Sequence, residues 1–450
     1  MLFNTLTYLL FVPIVFALYW MARSVRQQNL VLAVSSMVFY GWWSRWFLLL
    51  MMATCVVNYV LLRLMQAGAH RKLYLSSALV ANFGILVLFK YFNFFAENLA
   101  LLLSGIGFHV DILTLQLVLP VGISFYTFQL SGYAVDMYRS PESPSPSFLR
   151  YITFITFFPQ LVAGPIERGA DLLPQIARMR SFSFEQAREG MRLFLWGLMK
   201  KMLLADNCAG VVDYVFAHRA SVSQLDLWLG ALFFTFQIYG DFSGYSDMAV
   251  GSARLFGIRL HKNFDKPYFA TSMRDFWRRW HMTLMSWFKD YVYIPLGGNR
   301  KGRLRQRLNV FSVFALSGLW HGSNWTFLFW GVYHAVVYYV PFRWLVFPLV
   351  MIGWVIFRSP DMEFASRYIC GMFDPSMWSG LSTTCSRLPL VYIAACVLAE
   401  RLMRMREHPF TFADKGLWAS QWVRMPVYWV CFLVTLFLGG EQLQFIYFQF

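Results

Sequence analysis

RDFWRRWHMTLMSWFKDYVYIPLGGNR (residues 274–300) opens the stretch around which the rest of the chain is organised. The basic run KGRLRQR (301–307) follows, and an apolar segment closes the stretch with LSGLWHG (316–322). Two histidines, His281 and His321, stand forty positions apart in it. Trp277, Trp280, His281, Leu284, Trp287, Phe288 and Tyr291 recur at spacings of three, one, three, three, one and three. That is one face of a helical period, so the first half reads as an amphipathic helix. Asp275 and Arg279, four apart, can pair along it. The second half places His321 inside sequence apolar enough for hydrocarbon, where an ionisable group is costly and marks a functional site by default.

Composition settles the class. The 450 residues are 58% hydrophobic, 19% aromatic and 14% charged, with mean hydropathy +0.48. Soluble domains carry about a quarter charged residues, so this is a polytopic membrane protein. The apolar runs are long and non-alternating and spread over the whole length, which makes a β-barrel a poor alternative and predicts one large all-α unit. The net charge of +16 and pI near 9.7 come from short basic clusters between apolar runs, not from a nucleic-acid-binding face. Such clusters (Arg23 and Arg26; Arg71 and Lys72; Arg300–Arg307; Arg401–Arg406) belong on the cytoplasmic side, which puts the N-terminus outside. The first apolar stretch has no small-residue cleavage site after it and reads as a retained span. Six scattered cysteines at 55, 208, 370, 385, 396 and 431 read as packing residues.

Along the chain, residues 5–22, 28–41 and 46–66 are spans, the last two separated by the interfacial YGWWSRW. Residues 74–96 are a further span. Its Lys90 reads as snorkelling at a helix end beside Tyr91 and Asn93, with a functional charge as the alternative. Residues 114–135 carry Pro120 and Gly122, which break the helix early. An unusually polar run follows (Ser124, Tyr126, Thr127, Gln129, Ser131), which either lines a cavity or hydrogen-bonds between helices. SPESPSPS (140–147) is a surface loop. FITFFPQLVAGPIER (154–168) is a span ending at Gly164–Pro165. Residues 181–204 start with an N-cap sequence containing Glu185 and continue through Lys200 and Lys201 as a helix on the cytoplasmic interface. In 222–258, Gly240, Gly244, Gly251 and Gly257 permit close helix approach. Asp241 and Asp247 either orient a catalytic group or are satisfied by Arg254 or a backbone N–H. Residues 324–340, 343–357, 388–400 and 418–439 complete the spans, about ten to twelve in all at ~20 residues each.

The chemistry these residues allow is narrow. The eight histidines contain no HxxxH or HExxH, so a metal centre is not expected. There is no GxSxG elbow and no Walker or dinucleotide glycine pattern. A buried histidine remains, beside a tryptophan and between glycines. A neutral imidazole in an apolar site is a competent general base towards a hydroxyl that attacks an activated acyl group. A structural, hydrogen-bonded histidine is the alternative reading of His321. His281, after Arg278 and Arg279, also reads as an interfacial residue.

With these motifs the chain resembles the membrane-bound O-acyltransferase (MBOAT) superfamily, in particular its bacterial branch of alginate O-acetylation and teichoic-acid D-alanylation membrane proteins. The signatures are RDFWRRWHMTLMSWFKDYVYIPLGGNR and GLWHG. FFPQLVAGPIER, PVGISFYTFQ, QIYGDFSGYSDMA and the closing FIYFQF agree in order, over nearly the whole chain. PLGGNR and QLVAGPI lean to the alginate side. The resemblance implies a ring of transmembrane helices with interfacial and re-entrant helices, divided as 1–140 (N-terminal helices), 150–340 (the core with both histidines) and 341–450 (C-terminal helices). It implies that His321 and His281 are catalytic, and that Trp320, Trp277, Arg278, Arg279, Asn324, Tyr239 and Asp241 bind substrate. Acetyl groups would arrive from a cytoplasmic donor, acetyl-CoA or an acyl carrier, at the bacterial inner membrane. A periplasmic acetyltransferase partner would pass them to an alginate- or cellulose-like exopolysaccharide. D-alanyl transfer from an acidic carrier docked on Arg300–Arg307, or transport without catalysis, are the competing functions.

Overall fold

The computed structural model describes the chain except for residues 69, 109–113, 116, 141–144, 379, 381, 404–405, 411–415, 417–419, 442–444 and 447–450. Among the described residues every regular element is a helix. The helices gather into two compact units, Met1–Ser183 with Ala253–His261, and Phe184–Ser252 with Lys262–Phe450. Most of the loop 140–147 and of the closing FIYFQF lies outside the described residues.

In the first unit, hydroxyl caps start the helices. Thr5, Ser24 and Ser44 accept from the backbone N–H groups of Tyr8, Gln27 and Phe47, opening Leu6–Met21, Val25–Gly41 and Arg45–Ala67. Trp42, Trp43 and Trp46 between the last two are exposed, as an interfacial aromatic turn requires. The end expected near Lys90 is absent. Helix continues from Arg71 to Gly105 through a π-turn at Val87–Tyr91 that absorbs the lysine. Gly122, at φ +75°, starts the helix Ile123–Arg139, so Pro120 and Gly122 do break the span early. Two residues of its polar run, Gln129 and Ser131, bond between helices. Gln129 donates to the Phe154 carbonyl at 3.1 Å, and Asn82 bridges Ser131 (3.3 Å) and Asn58 (2.6 and 3.0 Å). The expected span over 154–168 is instead two short helices, Phe148–Thr156 and Phe158–Leu161, then irregular chain. Pro159 and Gly164–Pro165 deny it a regular ladder.

In the second unit, helix Phe184–Met199 runs into a π-turn at Lys200–Ala205 and then helix Asp206–Ala217. The interfacial reading of this segment fails at its end. Lys200 and Lys201 are 4% and 5% exposed. Lys200 Nζ meets Asp247 at 2.7 Å and Ser243 at 2.9 Å. Lys201 Nζ meets Asp206 at 2.8 Å and Asp241 at 2.7 Å. The long helix Gln224–Leu255 crosses Phe184–Met199 at Gly244 and Gly197, where a Cβ on either glycine would fall 2.6 or 2.5 Å from the other's carbonyl oxygen.

Among the described residues, three helices are long and apolar enough to cross a membrane on their own: Arg45–Ala67, Arg71–Gly105 and Gln421–Leu438. Other apolar helices, such as Leu6–Met21 and Trp325–Val337, are shorter. Cys55, Cys208, Cys385 and Cys396 are buried packing residues; Cys370 is exposed.

Candidate active site

The amphipathic helix expected over 274–291 is broken in the middle. Met273–Arg279 and Met282–Phe288 are separate helices, and His281 between them has φ +43° and ψ +55°. A left-handed conformation is rare for a residue with a Cβ and persists only where its surroundings over-determine it. Here the preceding segment does so. The Met282 N–H donates to the Asn263 carbonyl (2.9 Å), Thr283 Oγ1 donates to Asn263 Oδ1 (2.6 Å), and the Asp265 N–H donates to the Arg279 carbonyl (3.0 Å). The kink turns His281 inward to 1% exposure, edge-on to Phe242 at 4.6 Å between centroids.

His321 is the last residue of the helix Gly302–His321. The chain turns at Gly322, and Asn324 caps Trp325–Val337 by accepting from the Thr326 N–H at 3.2 Å. The two helices touch backbone to backbone. A Cβ on Gly318 would lie 2.2 Å from the Phe327 carbonyl oxygen, and one on Gly331 2.3 Å from that of Phe314. The hairpin seals His321, 5% exposed, against Trp320 (5.0 Å), Trp330 (5.1 Å) and Phe357 (5.3 Å). Trp320 also reaches His281 at 5.9 Å, so one indole lies against both histidines.

A cavity of about 500 Å³ opens beside this aromatic wall. Arg274, Arg278 and Lys289 give it a cationic side, and Trp277, Met285 and Phe314 are among its apolar lining. Arg274 stacks over Tyr338, another lining residue, at 5.6 Å. Trp277 touches Trp330 at 5.7 Å, and Trp330 touches His321, so continuous aromatic packing joins the cavity to the histidine.

The residues picked out in the sequence divide. His281, Trp320 and His321 are brought together, and Trp277 and Arg278 line the cavity. Arg279 is latched elsewhere, 2.9 Å from Asp275 as the i,i+4 spacing predicts. Asn324 is occupied by its cap and by the Pro360 carbonyl (2.6 Å). Tyr239 donates to Glu400. Asp241, paired with Lys201, accepts from the Ile446 N–H at 2.6 Å; that is the satisfied-carboxylate alternative, with a lysine in place of Arg254. Sequence reasoning missed Arg274 and Lys289 as cavity cations. Arg274 stands four residues before Arg278, one turn away on the same helical face, and that spacing was the available signal.

The described residues thus combine two buried histidines against one tryptophan with a cationic-sided apolar cavity beside them. The family model of the membrane-bound O-acyltransferase family matches residues 138–351. Over 419 residues the chain is 37% identical to the probable alginate O-acetylase AlgI of Azotobacter vinelandii, covering 89% of this chain and 83% of that one. It is 35% identical over 424 residues to the peptidoglycan O-acetyltransferase of Helicobacter pylori (83% and 80% covered). The teichoic acid D-alanyltransferase of Bacillus subtilis is 30% identical over 239 residues, covering 49% of this chain and 58% of that one. The chain belongs to the membrane-bound O-acyltransferase family and is a multi-pass membrane O-acyltransferase.

Proposed function

We propose that this enzyme moves acetyl groups from a cytoplasmic donor of the acetyl-CoA class, at the bacterial inner membrane, for O-acetylation of an exopolysaccharide. The observation that carries the reading is the cationic-sided cavity, whose wall residue Trp277 packs on Trp330, which in turn packs on His321. Arg274, Arg278 and Lys289 suit the phosphates of a CoA-type donor, and the apolar lining suits its thioester arm. The similarity to an alginate O-acetylase and a peptidoglycan O-acetyltransferase favours acetyl as the group and a sugar polymer as the destination. A periplasmic acetyltransferase partner would complete delivery to the polymer.

His321 acts as general base. It takes the acceptor hydroxyl's proton as the new C–O bond forms; the C–S bond of the thioester breaks, and the thiolate leaves with that proton. The hairpin seal keeps water, the competing nucleophile, away. His281, behind Trp320, fixes the indole that both histidines share.

The test is turnover of radiolabelled acetyl-CoA by purified protein in nanodiscs, with and without acceptor. Removing a general base costs about 10²–10⁴-fold, so His321→Ala at unchanged protein level should lose label release by that factor; wild-type rates in the variant overturn the reading. D-alanyl transfer is the second reading, favoured by the exposed Lys301, Arg303, Arg305 and Arg307, which could dock an acidic carrier protein. Label transfer only from a loaded carrier would select it.

A further inference from the structure

His281 is the N-cap residue of the helix Met282–Phe288, a position whose side chain ordinarily accepts from the helix's own first N–H groups. Here the imidazole makes no such bond. Asn263, twenty residues before Thr283, supplies the cap instead. Its carbonyl accepts from the Met282 N–H at 2.9 Å, and its Oδ1 accepts from the Thr283 N–H at 3.4 Å and from Thr283 Oγ1 at 2.6 Å. On the other flank of His281, the Asp265 N–H donates to the Arg279 carbonyl at 3.0 Å. Phe264, between Asn263 and Asp265, packs on Phe242 and on Trp280, each at 5.0 Å between centroids, and Phe242 is the ring that faces His281.

Residues 263–265 are thus a clip, closed on both sides of the left-handed residue. That conformation is costly for a residue with a Cβ and persists only where its surroundings hold it. Moving the cap to another segment leaves the imidazole free to turn inward against Phe242 and Trp320. Asn263 is 1% exposed, and its Nδ2 has no hydrogen-bond partner among the described residues. The clip therefore uses the oxygens of this residue. A backbone N–H can only donate, so Thr283 requires the amide oxygen, not its nitrogen, at this position.

We propose that Asn263 is a positioning residue for acyl transfer. By capping Met282–Phe288 from outside, it holds His281 in its kink and so against Trp320, the indole that also packs on His321. This rests on the reading above, in which His281 fixes that indole. Asn263 acts through His281 alone. The donor's cations, Arg274, Arg278 and Lys289, lie along the cavity and keep their places without it.

The test is a double-mutant cycle on turnover of radiolabelled acetyl-CoA in nanodiscs. Asn263→Leu keeps the side-chain shape and removes the acceptor for both Thr283 donors. It should lower kcat by up to about 10²-fold, the cost of a misplaced group, with donor KM unchanged. Asn263→Asp keeps an accepting oxygen at a helix N-terminus, where negative charge is favoured, and should recover most of the rate. If Asn263→Leu does not fold, Thr283→Val, which removes only the Oγ1 donor, takes its place in the cycle. His281→Ala should be slow, and adding Asn263→Leu to it should slow it no further. Independent sites multiply their effects on rate. A double variant slower by the product of the two factors therefore overturns the positioning role, as does a wild-type kcat in Asn263→Leu. Wild-type turnover in His281→Ala instead overturns the role of His281 in the reading above. Protection of His281 from diethyl pyrocarbonate, read by peptide mass spectrometry, needs no turnover and decides the clip even if acetyl-CoA is not the donor. Asn263→Leu should open His281 to carbethoxylation, and unchanged protection overturns the clip.

Discussion

At the scale of single residues, the charges this protein buries are the least tolerant positions. Lys201 lies 2.7–2.8 Å from two carboxylates at 5% exposure. Lys201→Met leaves Asp206 and Asp241 buried without their cation, and breaking a buried pair this way costs about 3–5 kcal/mol. A large drop in Tm with little recoverable folded protein is expected, and a Tm within a degree or two of wild type would refute it. His261 supplies a milder, pH-dependent case. Glu167 accepts from both the His261 backbone N–H (2.6 Å) and Nδ1 (2.8 Å), and this hydrogen bond holds the imidazole's pKa above its ordinary value. A histidine whose folded pKa is raised contributes stability that is complete below the unfolded pKa of about 6.5 and is lost as pH rises through the folded value. His261→Ala should therefore lower Tm more at about pH 5.5 than at about pH 9. Because the side chain is 59% exposed, solvent screening keeps the difference small. An equal Tm loss at both pH values would remove the pairing from the account.

At the scale of elements, the helix pair around His321 is held by glycines where backbone meets backbone. A methyl at Gly331 would collide with the Phe314 carbonyl oxygen at 2.3 Å and its carbon at 2.9 Å. Neither is a flexible side-chain end that could move aside. Gly331→Ala should cost about 1–3 kcal/mol and slow transfer, since it shifts Trp330 relative to His321. Gly210→Ala is the control. Nothing lies within 4 Å of its Cβ, and helix propensity then favours alanine. Melting curves of the two variants should move in opposite directions. This scale also shows what the sequence could and could not convey. Gly240, Gly244 and Gly251 in one apolar helix announced close packing, and Pro120 with Gly122 announced the broken start of Ile123–Arg139. The kink at His281 was hidden, because Trp277 to Tyr291 keep a helical spacing on both sides of it. Its cause lies in Asn263, a backbone partner about twenty residues earlier. The burial of Lys200 and Lys201 was hidden too, since a π-turn has no residue pattern of its own and two of their three carboxylates, Asp241 and Asp247, come from a distant segment. At the site, the histidines and Trp277 were legible as motif residues.

At the scale of the whole molecule, charge sets orientation where fold alone does not. The net charge of +16 is carried by short basic clusters flanking apolar helices. Lys301, Arg303, Arg305 and Arg307 are all exposed at the start of the helix that ends at His321. Juxtamembrane lysines and arginines are retained on the cytoplasmic side during insertion, whereas acidic residues contribute little. Gln306, within this basic run, lines the cavity together with Arg274, Arg278 and Lys289, so under the proposed reading a cytoplasmic anionic donor would enter from the side of this basic run. A cysteine placed at Arg303 should therefore react with a membrane-impermeant maleimide in inverted inner-membrane vesicles and stay unlabelled in right-side-out spheroplasts. A cysteine at Asn4, ahead of Leu6–Met21 and of the Arg23–Arg26 cluster, should show the opposite pattern. The native Cys370 is exposed and must first be replaced by serine to keep the background low. Labelling of the Arg303 position from outside would reverse the topology and with it the cytoplasmic origin of the donor, while leaving the packing around His321 as described.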